Sequence, residues 1–166
     1  MDHLEFLGEG HAISKEATRL INGVEFLAGL DKALVEALTR WIKVYKAPFG
    51  TTIFEEGSKN TSLCIIAEGE VDVFKETNPG EFIKIANIKS GGVIGEIGII
   101  DGEPFSASAI ASVNTTILVI NADDFKRLME EESQLGIQIL MRIARIISGR
   151  LRKTTGLLTE FMGTDS

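Results

Sequence analysis

The part of the chain whose residues could do chemistry is a glycine-rich stretch at residues 91–112. Three of its first five residues are glycines, including Gly95, and a lone carboxylate, Glu96, follows. Glycine lets the backbone adopt positive φ and approach a ligand closely. The apolar run at residues 97–100 is long enough for one helical turn whose free N–H groups could face an anion. The stretch is typical of a phosphate cradle, although a plain turn in a β-rich domain would also be rich in glycine.

The order of residues in this stretch resembles the phosphate-binding cassette of the cyclic nucleotide-binding domain family. That family includes the catabolite activator protein and the regulatory subunits of cyclic-AMP-dependent kinase. Ile-Gly-Glu-Ile-Gly-Ile at residues 94–99 and Pro-Phe-Ser-Ala-Ser at residues 104–108 carry the resemblance. It implies backbone N–H donors for a cyclic phosphate, a ribose hydroxyl bound by Glu96, and cyclic AMP rather than cyclic GMP as the ligand. The cassette residues implied to bind it are Gly95, Glu96, Ile97, Phe105, Ser106 and Ala107.

The chain departs from the family pattern at the arginine that pairs with the phosphate, because Phe105 stands in its place. No lysine or arginine lies between Lys89 and Lys126. Each charge-assisted hydrogen bond of such an arginine contributes about 1.5–3 kcal/mol, so its loss weakens binding by roughly two to four powers of ten. Two interpretations follow. Either backbone donors and Ser106 bind a cyclic nucleotide or related anion weakly, or Phe105 fills the phosphate site of a ligand-free dimerisation or protein-interaction module.

Composition indicates one soluble domain. The chain has 166 residues, is 44% hydrophobic, and carries a net charge of −7, which opposes binding to DNA phosphates or anionic lipid. Cys64 is the only cysteine, so no disulfide can form within the chain, and a reducing cytoplasm is expected. No apolar run approaches the roughly 18 residues of a membrane span, and the first residues lack the basic start of a secretory signal.

The sequence offers no catalytic or metal-binding set. Its two histidines, His3 and His11, lie close together near the N-terminus, away from the cassette. No Ser-His-acid or Cys-His arrangement can therefore be assembled around the cassette, and a metal site would need three or four converging ligands. The absence of histidine from the β region also disfavours a cupin-like metalloenzyme. We expect a regulatory module without catalysis.

Short segments with a period of two predict strands between residues 44 and 120. The predicted strands are residues 51–54, 63–67, 70–75, 81–88 and 115–120. Strands of this length at this spacing, separated by glycine-rich turns, predict a double-stranded β-helix, or jelly-roll barrel. In the strand at residues 81–88, Ile83 and Ile85 are predicted to face inward. The family resemblance, which extends to residues 50–57 and 65–73, implies the same mainly β fold with flanking helices.

Helices are predicted on both sides of this barrel, which is assigned to residues 24–132. Residues 1–23 are predicted to be a helical extension in which Ser14 caps the helix. Asp31 is predicted to cap an amphipathic helix that ends in the apolar Trp41, which is expected to lie in the core. After the barrel, a helix capped by Asp123 or Asp124 is predicted, with a break near residues 132–133.

The last segment, residues 133–162, is predicted to be a dimer helix. Apolar or uncharged residues recur at alternating spacings of three and four, which is the heptad pattern of a two-stranded coiled coil. The heptad residues are Ile137, Leu140, Ala144, Ile147, Leu151, Thr154, Leu158 and Phe161. A second stripe, Ile139, Ile143 and Ile146, is expected to pack on the barrel. We therefore expect a homodimer formed through residues 137–161.

The same helix resembles the dimer helix of members of the catabolite activator type. That resemblance implies that Thr154 and Thr155 bind the adenine of cyclic AMP, one from each subunit. The alternative is that Thr154 is a tolerated polar residue of the coil and Thr155 faces solvent. A DNA-reading winged helix-turn-helix follows the helix in those members, whereas this chain ends at Ser166. We therefore expect no direct contact with nucleic acid, and signalling through the dimer or a protein partner.

Overall fold

The computed structural model describes residues 4–59 and 61–164 and contains two antiparallel sheets with flanking helices. The strands are β1 (Glu5–Glu9), β2 (Lys43–Ala47), β3 (Thr52–Phe54), β4 (Ser62–Glu68), β5 (Glu70–Asn78), β6 (Glu81–Lys89), β7 (Val93–Ile94), β8 (Ser108–Ala111) and β9 (Thr115–Asn121). The helices are α1 (Ser14–Asn22), α2 (Lys32–Thr39), α3 (Glu96–Asp101), α4 (Ala122–Glu131) and α5 (Ser133–Thr164), with short 3₁₀ turns at Gly10–Ile13 and Glu25–Leu27. One sheet has the order β1-β2-β9-β4-β7 and the other β3-β8-β5-β6. The predicted jelly-roll class with flanking helices is confirmed.

The central strand β4 shows how the core is divided. Its residues from Ser62 to Ala67 are all buried, and alternate side chains point to opposite faces of the sheet. Cys64 and Ile66 belong to a cluster with apolar residues of both sheets, while Leu63 and Ile65 pack with the helices. Burial raises the pKa of the Cys64 thiol to about 12, so this cysteine is a packing residue and not a nucleophile.

The N-terminal segment is not wholly helical, and that prediction is wrong. Glu5–Glu9 forms β1, which pairs antiparallel with β2 and extends the five-stranded sheet. The side chains of β1 are mostly exposed, so the pairing partner and not the apolar pattern determines this strand. Ser14 is the first residue of α1 rather than its cap, and Ile13 at the cap position makes no side-chain bond. His3 lies outside the described residues.

The outer part of β6 corrects a second prediction. Ile83 and Ile85 do not face inward, because their side chains are 52% and 54% exposed. β5 pairs with β8 only over residues 71–74, so the outer halves of β5 and β6 extend past the strands that build the core. A bulge between Val73 and Phe74 also interrupts the alternation of the hairpin.

One of the three predicted helix caps is confirmed. The Asp31 side chain accepts from the Leu34 N–H at 2.9 Å and caps α2, as predicted. The cap of α4 is Asn121, whose Oδ1 accepts from the Asp124 N–H at 2.8 Å, so neither Asp123 nor Asp124 is the cap. Both carboxylates lie instead in the first turn of α4, where the helix dipole favours negative charge.

Three further predictions about the helices hold. Trp41 is buried, with the Arg127 guanidinium carbon 5.2 Å from its ring centroid. The predicted break lies at Glu132, which has φ −129° and ψ 56° and forms an ion pair with Arg40. After the break, Ile139 and Ile143 are fully buried and Ile146 packs against the same core.

The far half of α5 leaves the domain. Residues 151–163 are exposed on every side, including the heptad residues Leu151, Leu158 and Phe161, which are 59–76% exposed. An isolated helix of this length is marginal in water. The side chains of Leu151 and Leu158 therefore present apolar surface to solvent. Within residues 4–59 and 61–164, no helix is both long and apolar enough to cross a lipid bilayer.

Candidate functional site

The glycine-rich stretch forms a tight connection from β7 through α3 to β8. Gly95, at the start of α3, has φ 79°, and Gly102, at its end, has φ 75°. A side chain at Gly95 is excluded twice, because its backbone is left-handed and a Cβ would lie 2.1 Å from the Ser62 carbonyl oxygen. Gly95 therefore lies directly against β4. The backbone geometry that the sequence predicted for a cassette is present.

Phe105 occupies the interior of this cassette. Its side chain is 5% exposed and stacks on Phe54 of β3, with ring centroids 3.8 Å apart and an interplanar angle of 5°. A Cβ built on Gly95 would lie 3.1 Å from Phe105 Cε1, so the ring edge borders the Gly95 backbone. Phe105, at the position where the resemblance leads one to expect arginine, is thus an apolar ring packed between β3 and the start of α3.

The backbone around Phe105 is held on both sides. Its N–H donates to the Ser58 carbonyl at 3.1 Å, and its carbonyl accepts from the Gly57 N–H at 2.8 Å. The next residue is held by Lys75, whose Nζ donates to the Ser106 carbonyl at 2.7 Å. These bonds fasten the segment to the turn after β3 and to β5. The aromatic ring is therefore part of the packed domain and not a loosely placed side chain.

Glu96, the other central residue of the cassette, is 2% exposed and is bound by Arg150 of α5. Arg150 Nη1 donates to Glu96 Oε1, and its Nη2 donates to the Val93 carbonyl at 2.6 Å. A buried carboxylate requires such a partner, since an unpaired charge in an apolar surrounding is costly. The Arg150 guanidinium thus joins the cassette to the helix that leaves the domain. Arg150 is not among the site residues predicted from the sequence.

The other predicted binding residues are placed as follows. Ile97, in the first turn of α3, is 43% exposed, Ser106 is exposed, and Ala107 is 9% exposed. Thr154 and Thr155 lie on the exposed part of α5, one turn beyond Arg150, and their hydroxyls donate to the Arg150 and Leu151 carbonyls at 3.0 and 2.9 Å. The structure thus brings Gly95, Glu96 and Phe105 together. The two threonine hydroxyls bond within their own helix.

Metal-ligand side chains do not converge in the described part of the chain. Within residues 4–59 and 61–164, no three of the His, Cys, Asp and Glu side chains meet in an arrangement that could hold a metal ion. The interactions available at the cassette are hydrogen bonding, charge pairing and apolar packing.

Acid is expected to weaken the ion pair between Glu56 and Lys75, the lysine that also binds the Ser106 carbonyl of the cassette. The Lys75 ammonium group, with help from the Glu76 N–H, holds the pKa of Glu56 below its ordinary value of 4.5. A carboxyl whose pKa is lowered in the folded state adds stability above its unfolded pKa, and this stability is lost as the pH falls through the folded pKa. Thermal unfolding followed from pH 7 to about pH 3 should therefore show a smaller loss of stability for Glu56→Gln than for the wild type. Glu55→Gln, on the neighbouring exposed residue, is the matched control and should follow the wild type.

A comparison with models of known protein families shows which family this chain resembles. The family model for the cyclic nucleotide-binding domain matches residues 45–132, which include the strands β3 to β9 and the whole cassette. The chain belongs to the cyclic nucleotide-binding domain family. The resemblance stated from the sequence is thereby confirmed, and the domain type is a regulatory one.

Individual relatives resemble the chain over most of its length. A crystal structure of a cyclic nucleotide-binding domain from Methylobacillus flagellatus is 28% identical, with a TM-score of 0.79, and the match covers 95% of this chain and 89% of that one. The CRP-like cAMP-activated global transcriptional regulator of Mycobacterium tuberculosis is 25% identical over 82% of this chain. This chain spans 59% of the length of that regulator.

A third similar structure is a regulatory subunit of a cAMP-independent protein kinase A from Trypanosoma cruzi, bound to guanosine. It is 22% identical, with a TM-score of 0.66, and the match covers 87% of this chain and 51% of that one. At this level of identity the likeness concerns the fold alone.

Proposed function

We propose that this chain is a non-catalytic regulatory module of the cyclic nucleotide-binding type that acts as a dimer without binding cyclic AMP. The observation that carries the proposal is the Phe105 ring stacked on Phe54 beside Gly95. It favours the ligand-free alternative left open by the sequence over weak nucleotide sensing.

In this proposal the Phe105 ring excludes a phosphate in two ways, because it fills the space and because its surface is apolar. A cyclic phosphate placed against the Gly95 backbone would overlap the space that the ring fills. It would also lose its hydration in exchange for an apolar surface, which is costly for a charged group. The cations next to the cassette are already paired, Arg150 with Glu96 and Lys75 with Glu56.

The proposed dimer uses the exposed heptad face of α5. Ile139 and Ile143 pack on the domain, whereas Leu151 and Leu158 are exposed on the part of α5 that projects. A helix with two apolar faces needs two partners, and the domain provides one. We assign the second partner to the same helix of another copy. Regulation would then pass from the cassette to the dimer through the Arg150 guanidinium.

Thermal unfolding with added nucleotide tests the proposal. Cyclic AMP, cyclic GMP and guanosine, each at about 1 mM, should shift the melting temperature by less than about 1 °C. A ligand at a hundred times its dissociation constant stabilises by about 2.7 kcal/mol, which for a domain of this size corresponds to roughly 5–10 °C. Guanosine is included because a neutral nucleoside needs no phosphate partner.

A shift of several degrees with cyclic AMP, confirmed by calorimetry, would overturn the proposal and restore the nucleotide-sensor interpretation. A shift with guanosine alone would assign the site to an uncharged nucleoside bound through Glu96. Glu96→Gln should remove that shift and leave the family's fold intact by circular dichroism.

A further inference from the structure

A cleft lies between α1 and α2, and no residue of the cassette lines it. Its volume is about 650 Å³, which is within the range of small-molecule sites in proteins. Residues at i, i+4 spacing on each helix line its two walls, because such residues share one helix face. The wall from α1 includes Ser14, Thr18 and Asn22, and the wall from α2 includes Lys32 and Glu36.

Positive charge is concentrated in this cleft, although the chain as a whole has a net charge of −7. Lys15 and Lys32 both line it, with His11 at its edge, and Glu36 is the one carboxylate in the lining. Neither lysine has a carboxylate within 4.0 Å among residues 4–59 and 61–164. By contrast, Lys43, Lys75, Lys84 and Lys89 each have at least one.

Neutral donors stand beside these charges. The hydroxyls of Ser14 and Thr18 and the amide of Asn22 line the cleft, and among the described residues none of them has a hydrogen-bond partner. The floor is formed by Val35, which is 5% exposed, and Thr39, which is 2% exposed. Two ammonium groups, two hydroxyls and an amide around a firm floor can surround a group that has several charged oxygens.

We propose that the cleft between α1 and α2 binds a small phosphate-bearing anion, with Lys15 and Lys32 as its principal ligands. A phosphate group presents three or more acceptor oxygens, which matches two ammonium groups and the hydroxyl donors better than a single carboxylate does. This site is independent of the cassette and of the proposal that the cassette is closed.

Titration with pyrophosphate, followed through the backbone amide signals in ¹⁵N-labelled protein, tests the site. Ionic strength is held constant with sodium chloride, so that general screening does not contribute. We expect saturable shifts confined to residues 14–22 and 32–39. The double variant Lys15→Gln/Lys32→Gln should weaken this binding by at least about tenfold, because it removes two charge-assisted hydrogen-bond donors.

Lys126→Gln is the matched control, because Lys126 is an exposed lysine of α4 that does not line the cleft. It should bind pyrophosphate like the wild type. The inference is overturned by shifts that do not saturate, by equal affinity in the double variant, or by shifts centred on residues 95–98. The last result would place the anion at the cassette amides. A parallel titration with AMP shows whether a nucleoside adds affinity to the phosphate group.

Discussion

Replacing Phe105 with arginine is expected to increase the affinity for cyclic AMP by roughly two to four powers of ten. The substitution removes the ring that borders Gly95 and supplies the guanidinium that the cassette lacks, while Glu96, which the family resemblance implies as the ribose ligand, is unchanged. Isothermal titration calorimetry against the wild type measures the change. It is the largest effect expected for a single residue, because one side chain both closes the site and leaves it without a cation.

The same substitution should destabilise the unliganded protein. A buried aromatic side chain contributes about 3–5 kcal/mol relative to alanine, and an unpaired guanidinium beside Phe54 adds a desolvation cost. Cyclic AMP should restore part of this loss, so the melting temperature of Phe105→Arg should rise with nucleotide concentration while that of the wild type stays constant.

Phe105→Ala separates the two roles of the residue. It empties the space of the ring without adding a cation, so its affinity for cyclic AMP should increase by less than about tenfold. If folded Phe105→Arg binds no more tightly than Phe105→Ala, the phosphate does not lie beside residue 105, and the placement of the ligand in this cassette is wrong.

The cassette could be predicted from the sequence because its determinants are local. Gly95 must be glycine to allow a left-handed backbone pressed against Ser62, and Glu96 follows directly in the chain. Arg150 could not be assigned in the same way, since it binds Glu96 from 54 positions away. The signal that could have indicated it is chemical: a carboxylate among apolar neighbours requires a cation, and the cassette itself has none.

The errors in the strands also have a physical origin. Alternation gives the period of a strand but does not show which face is covered. The alternation therefore predicts Ile83 and Ile85 to be buried, although the core does not extend to this part of β6. β1 was missed because pairing with β2, and not its own apolar pattern, makes it a strand. Both errors concern contacts between segments that are distant in the sequence, whereas the turns and the glycines were predicted correctly.

The second large effect is expected at the projecting part of α5. Leu151→Asp should convert a dimer of two 18.0 kDa chains into a monomer, weakening association by at least about a hundredfold. A two-stranded coil would bury two carboxylates at this position, one from each chain, among the apolar side chains of the heptad positions. Light scattering after size-exclusion chromatography, measured over a range of concentrations, gives the mass.

Leu151 is a better choice than Ile147 because of where each lies. Ile147 packs partly against the core, so a charge there would also disturb the domain, whereas Leu151 is 64% exposed and follows Arg150, which binds the Val93 carbonyl. The variant should therefore keep a folded domain. Residues 151–163 should lose helicity in the monomer, since a helix of this length without packing is marginal.

Lys153→Asp is the matched control. It introduces the same carboxylate two residues further along the same exposed helix but outside the heptad positions, and it should remain a dimer. A monomer in both variants would indicate that association depends on the charge of the helix and not on the residues at the heptad positions. If Leu151→Asp has the same mass and concentration dependence as the wild type, the dimer interface lies on another surface. The proposal that Glu96 and Arg150 couple the cassette to a second subunit would then be wrong as well.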